Sequence, residues 1–481
     1  MFQSCDVDFI KNVGAEEEVK MLADVVADRE KMILTCCIVS SVVAVSAMSF
    51  IESSSPKLST SSARSRASGQ LSNLQVDLIT NKIAYTNARI IDPETKLDIK
   101  GSLLTEGNKI VDFGESLFSN GVPSGINETI DCEGFILMPD LIDIHVHFRE
   151  PGQEHKETIH TAAGGVTTVV CQPNTAPAID SVVLAKYLRY RALETSYVNI
   201  EFYAKITTPE EKSTEMALLK DASAVGFTGD GMPVMNPVIM RQALLYSSML
   251  DVPIAQHAED LNLSAGGVIN EGMISEELGV KEILSASESV MDVVRQYRAI
   301  AKMNPPLHTK DQLAMIEGLK TGIGGKGNFE CVRIGHGKSR YTAHERQHRA
   351  IAKMNPPLRT KDQLAMIEGL KTGVIDCIAT DHAPHDHSSK DLPLEDAAFG
   401  IVGLETMLPL SLELYHSGQM SLFGIFAKLT YKPADIIHVP RGCIQKNLAV
   451  DLILVDLNYE WKIKIENFAS KSKILLLMGA R

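Results

Sequence analysis

The chain has 481 residues, 44% hydrophobic and 22% charged, which describes a globular protein with a large core rather than a disordered or fibrous one. Its 47 basic against 60 acidic residues leave a net charge of −13, which excludes a nucleic-acid surface as the main partner and favours a small-molecule substrate. Eight cysteines are scattered without a C-x-x-C pair, so they read as reduced thiols of a cytoplasmic protein and supply no cysteine zinc site.

Residues 1–78 read as an extension that differs from the rest. Residues 1–30 are acidic, Met32 to Ile51 carries no charge, and Ser53 to Ser72 is rich in Ser and Arg. The uncharged run is long enough to cross a bilayer as a helix. Its Ser and Thr content and the long acidic segment before it argue against an ordinary signal peptide. Membrane contact is expected only through 32–51, with anchoring as the alternative to a cytoplasmic location.

Short alternating strands follow at 83–93, 108–112 and 128–132, and the same character returns at 451–456 and 461–463. These pieces predict a small β-sandwich built from both chain ends, 79–139 and 437–481. Between them, over 140–436, and after the apolar run 135–144 that crosses the boundary, β-rich runs alternate with helical patterns: 165–170, 198–204, 223–227, 252–255 and 374–379. That alternation predicts an α/β fold, a TIM-like (β/α)8 barrel whose chemistry gathers at the carboxyl ends of its strands. One block interrupts it. Residues 298–322 recur at 349–373 with a single change, His308 against Arg359. One near-verbatim copy is not a solenoid repeat. It points to a duplication, a rearrangement or an assembly error, and puts the barrel's sixth strand in question.

The carboxyl-end residues carry the chemistry. His145 and His147 end the first apolar run and lie on one face of an extended chain, so both imidazoles can grip one metal ion. Asp230, between Gly229 and Gly231, His257 and Asp381 end later runs. Three histidines and two carboxylates suit zinc or a similar metal. Two ions about 3.5–4 Å apart, bridged by a carboxylate, would polarise a carbonyl and activate water. Asp230 is the natural bridge, and Asp381 the group that takes the water's proton and delivers it to a leaving nitrogen. Arg149 can fork onto a substrate carboxylate, with Asn174 beside it and His385 on the same rim. Asn355 sits in a proline-stiffened loop able to hold an amide against a heterocycle.

The motifs Asp143-Ile144-His145-Val146-His147-Phe148-Arg149-Glu150-Pro151-Gly152, Gln172-Pro173-Asn174-Thr175, Asp230-Gly231, His257-Ala258-Glu259-Asp260, Met354-Asn355-Pro356-Pro357-Leu358-Arg359, Asp381-His382-Ala383-Pro384-His385 and Phe399-Gly400-Ile401-Val402-Gly403-Leu404-Glu405 resemble those of class I dihydroorotases, in the metal-dependent amidohydrolase superfamily. The resemblance runs from about 81 to 467. It implies reversible hydrolysis of dihydroorotate to N-carbamoyl-aspartate, in pyrimidine synthesis, at two zinc ions held by His145, His147, Asp230, His257 and Asp381. It assigns Arg149, Asn174 and His385 to the substrate carboxylate and Asn355 to the ring. The family's sixth-strand His-Val-Ser segment, which supplies one more metal histidine, has no counterpart; His308 falls near its place. Asp140 and Gly229 replace a usual glycine and a usual aspartate. An allantoinase- or hydantoinase-like amidase and a catalytically inactive scaffold stay as alternatives, and a homo-oligomer is left open.

Overall fold

The structure, a computed structural model, describes residues 81–159, 164–257, 259–272, 275–276, 279–284, 331–333, 353, 360–373, 375–460 and 465–474. The chain divides into two compact units, Met1–Asn81 and Lys82–Arg481, and the second is described here. The uncharged segment 32–51, the first copy of the repeated block, His308 and Asn355 lie outside the described residues. No helix among the described residues is long and apolar enough to cross a membrane.

Both ends of this unit enter one six-stranded sheet. It contains β1 (Lys82–Asp92), β2 (Leu97–Glu106), β3 (Lys109–Gly114), β4 (Glu128–Asp131), β5 (Ile136–Pro139) and β15 (Leu452–Val455). The order is β15-β5-β1-β2-β3, with β4 also on β1. Ile83, Tyr85, Ile90, Leu103, Ile110, Leu137 and Leu452 form its buried cluster. Strand β2 is absent from the sequence-based expectation because its first half, Leu97-Asp98-Ile99-Lys100, alternates only between partly covered and exposed positions. The apolar run 135–144 is divided after Pro139, which has no N–H to continue a ladder. Strand β5 pairs with β15 in the terminal sheet, while β6 (Leu141–Val146) opens the barrel.

The barrel strands continue with β7 (Val166–Cys171), β8 (Asn199–Lys205), β9 (Gly226–Thr228) and β10 (Ile254–Ala255), which lie parallel in the order β10-β9-β8-β7-β6. After the short parallel pair β11 (Ile269–Asn270) and β12 (Glu282–Ile283) come β13 (Cys331–Arg333) and β14 (Cys377–Ala379), also parallel. The end of β14 meets the end of β6 through a parallel bridge between Val146 and His382. His147 N donates to His382 O at 2.8 Å. This seam brings sequence positions more than two hundred apart onto one rim, as parallel β/α closure requires.

Helices cover the strands: α1 (Val182–Thr195), α2 (Met216–Asp221), α3 (Pro237–Leu250), α4 (Thr360–Thr372), α5 (Met407–His416), α6 (Leu422–Leu429) and α7 (Tyr431–Ile437). Helix α3 shows why they begin and end where they do. Asn236 caps it, accepting from Val238 N and Ile239 N; Pro237 fills the first turn; Asp251 ends it in a left-handed conformation. Phe202, Phe227, Phe426 and Leu404 are sealed between strands and helices, each burial contributing about 1.5–3 kcal/mol. The result is a stiff wall whose carboxyl rim holds the polar residues.

Candidate active site

Strand β6 is buried along its length, so its exit fixes where His145 and His147 go. Asp143 reinforces that exit: its carboxylate accepts from His145 N at 3.0 Å and from both the N–H and the hydroxyl of Thr380. Strand β6 is thereby stapled to the end of β14, two residues before His145 and one before Asp381. The two imidazole rings stand with centroids 5.3 Å apart.

Their Nε2 atoms converge on two carboxylates. His145 Nε2 is 3.2 Å from Asp230 Oδ2 and 3.6 Å from Asp381 Oδ1. His147 Nε2 is 3.3 Å and 3.0 Å from the same two oxygens. Ligand atoms of His145, His147 and Asp381 all lie within 4.8 Å of one another, a spacing that can hold a metal ion. His257 approaches from β10, its Nδ1 3.7 Å from Asp230 Oδ1, while its Nε2 donates to Glu259 Oε2 at 2.9 Å. Glu259 thus holds the histidine by one nitrogen and leaves the other toward the carboxylates.

The electrostatics match. Burial pushes the Asp230 carboxyl upward, but His147, His145 and His257 outweigh it and hold the group well below the usual carboxylate range. For His257, burial opposes the charged ring and the carboxylates of Glu259 and Asp230 overcome it, so the net shift is upward. A site that stabilises anions and attracts positive charge in this way fits a bound cation. The turn carrying Asp230 needs its glycines. Gly231 has φ +80°, and a Cβ there would come 2.9 Å from Asn174.

Arg149 leaves the rim at φ +60° and is buried, with Nε donating to Pro384 O at 3.2 Å and Nη2 3.3 Å from His385 Nε2. Burial, then the charges of Arg149 and Lys156, push His385 down to about 3, so its ring is neutral and the guanidinium carries the positive charge. The Oδ1 of Asn174 accepts from His147 Nδ1 at 2.8 Å. That bond fixes the His147 tautomer with Nε2 facing the carboxylates. The Lys353 carbonyl accepts from Gly400 N at 2.9 Å.

The structure therefore brings together His145, His147, Asp230, His257 and Asp381, with Arg149 and His385 adjoining and Asn174 behind His147. Sequence reasoning missed the supports: Asp143, Thr380, Glu259 and Lys205. A polar or charged residue inside an otherwise buried strand end was the available signal for Asp143 and Lys205.

A family profile described as dihydro-orotase-like matches residues 134–299. A dihydroorotase of Wolbachia sp. subsp. Brugia malayi (strain TRS) is 73% identical over 408 residues, covering 82% of this chain and 90% of that protein. A dihydroorotase of Ehrlichia canis (strain Jake) is 60% identical over 405 residues, covering 81% and 89%. Among solved structures, L-hydantoinase (dihydropyrimidinase) from Arthrobacter aurescens superposes with a TM-score of 0.65 at 20% identity, covering 82% of this chain and 91% of that one. This last likeness establishes the barrel fold alone. The sequence identities go further, and by them the chain belongs to the dihydroorotase family of amidohydrolases.

Proposed function

We propose that the protein is a zinc-dependent dihydroorotase, catalysing the reversible hydrolysis of dihydroorotate to N-carbamoyl-aspartate in pyrimidine synthesis. One observation carries the reading: His145 Nε2 and His147 Nε2 converge on oxygens of Asp230 and Asp381 beside a buried guanidinium. Packing gives no reason to aim imidazole nitrogens from one strand at carboxylates from two others. Neutral histidines with carboxylates suit zinc. In this reading His145, His147, Asp230, His257 and Asp381 hold two ions. Asp230 turns one oxygen toward the β6 histidines and the other toward His257, so its carboxylate would serve both parts of this ligand set. When bound, zinc polarises the ring carbonyl and makes water nucleophilic at neutral pH.

The remaining work falls to this chain's side chains. Arg149 receives the substrate carboxylate, with His385 and Asn174 shaping that end of the site and Asn355 reaching the ring. The buried guanidinium is worth more there than it would be in water. Asp381 accepts the proton of the attacking water and passes it to the ring nitrogen as the C–N bond breaks. One water is consumed, and the ring opens to a carboxylate and a ureido group. The left-handed backbone of Asp381, φ +49°, is a conformation kept where the surroundings dictate it.

The anion-binding end favours dihydroorotate over rings without a carboxylate. The test is zinc analysis of the purified protein, followed by turnover assays with dihydroorotate, hydantoin and allantoin. Bound zinc with turnover of dihydroorotate alone is the expected result. Turnover of hydantoin or allantoin without dihydroorotate would make it a different cyclic amidase. Absence of both zinc and turnover would leave an inactive scaffold.

A further inference from the structure

Lys205 ends β8 among residues that are all buried: Phe202, Tyr203 and Ala204 before it, Ile206 after it. Its own side chain residue is only 7% exposed. An ammonium withdrawn from water is costly unless fixed partners answer it. Its partner here is Asp230: Nζ donates to the Asp230 carbonyl oxygen at 2.9 Å.

The turn that carries Asp230 needs such a hold. It is flanked by Gly229 and Gly231, residues that lose the most conformational freedom on ordering and bring no side chain to pin the loop. Asp230 N donates to Thr228 Oγ1 at 2.9 Å, and Gly231 N donates to Asp230 Oδ1 at 2.7 Å. The Lys205 ammonium takes the carbonyl. With its N–H, its C=O and Oδ1 all engaged, Asp230 turns Oδ2 toward His145 and His147.

We propose that Lys205 is a positioning residue of the metal site: its ammonium clamps the Asp230 carbonyl across from the neighbouring strand and so fixes the direction of the Asp230 carboxylate. The inference rests on the proposed reading of this rim as a zinc site. Its test uses the full chain stripped of metal and titrated with Zn²⁺, then with Co²⁺ as a spectroscopic probe. Lys205→Met is expected to weaken zinc binding by about ten- to a hundredfold and to change the visible Co²⁺ bands. The melting temperature of its metal-free form should stay level or rise, because a buried charge has been removed. Lys205→Gln, which keeps an N–H donor, is expected to fall between Met and the parent, and it carries the comparison should the Met variant not fold. Parent-like zinc affinity and Co²⁺ bands in these variants would overturn the role of Lys205 while leaving the metal site standing. A parent protein that binds neither ion would overturn both.

Discussion

The two ends of β6 offer a comparison within one strand. At its start, Asp140 is sealed under the barrel, accepting from Thr167 Oγ1 at 2.6 Å and Thr168 Oγ1 at 3.1 Å. Nearby, Asp451 from the terminal sheet is paired with Arg441. Burial, with the Asp451 charge added, pushes Asp140 up to about 7 despite the two hydroxyls and Arg441. At the other end of the strand, Asp230 is just as deeply placed, yet its imidazole neighbours hold it well below the ordinary range. Burial is common to both, so burial does not make the active rim. What distinguishes it is a set of nitrogens aimed at one point. The lower end has hydroxyls and a second carboxylate instead, a combination that joins the barrel to the terminal sheet.

Breaking each end separately should sharpen that contrast. The largest expected effect is at the upper rim: Asp381→Ala should lower kcat about a thousandfold, within the range for loss of a general acid–base, with an unchanged circular dichroism spectrum. Next, Arg149→Met should raise KM for dihydroorotate about ten- to a hundredfold, from loss of hydrogen bonds to a charged group worth about 1.5–3 kcal/mol. At the lower rim, Arg441→Met should leave zinc content unchanged and lower stability to urea by about 1–2 kcal/mol, since Asp140 and Asp451 then face one another without their cation.

The lower rim should also show a pH slope. The folded pKa of Asp140, about 7, lies above its ordinary value of 3.8. The folded state therefore holds this proton more tightly, and the stability it contributes is fully present below about 4 and lost as pH rises through about 7. Asp140→Asn should remove that component, which amounts to at most about 1.4 kcal/mol per pH unit. Urea midpoints measured from pH 5 to 8 would check it; an unchanged slope would mean that Asp140 does not retain its proton.

Much of this was legible in the sequence because strand ends in a β/α barrel have a fixed meaning. The His145/His147 pair and Asp381 could be assigned to one rim without coordinates, since each ends an apolar run. The supports were not legible. Asp143 reads as a polar interruption of a strand until Thr380 is seen to cross to it, and Lys205 reads as an ordinary strand terminus until Asp230 O is found beside its ammonium. The contact of Asn174 with His147 was not legible, because loop direction after a strand is set by packing. The division of 135–144 between two sheets was signalled only by Pro139-Asp140, and β2 was hidden by its exposed first half.

In the proposed function, imidazoles and carboxylates on the upper rim hold zinc, and this assembly opens the ring of dihydroorotate. The most direct measurement pairs zinc content with dihydroorotate turnover in the parent protein and in His147→Ala. Bound zinc and turnover are expected in the parent, with both lost in the variant while its fold is retained. A zinc-loaded parent that interconverts dihydroorotate and N-carbamoyl-aspartate in neither direction would contradict it, as would a variant that keeps full zinc and full activity.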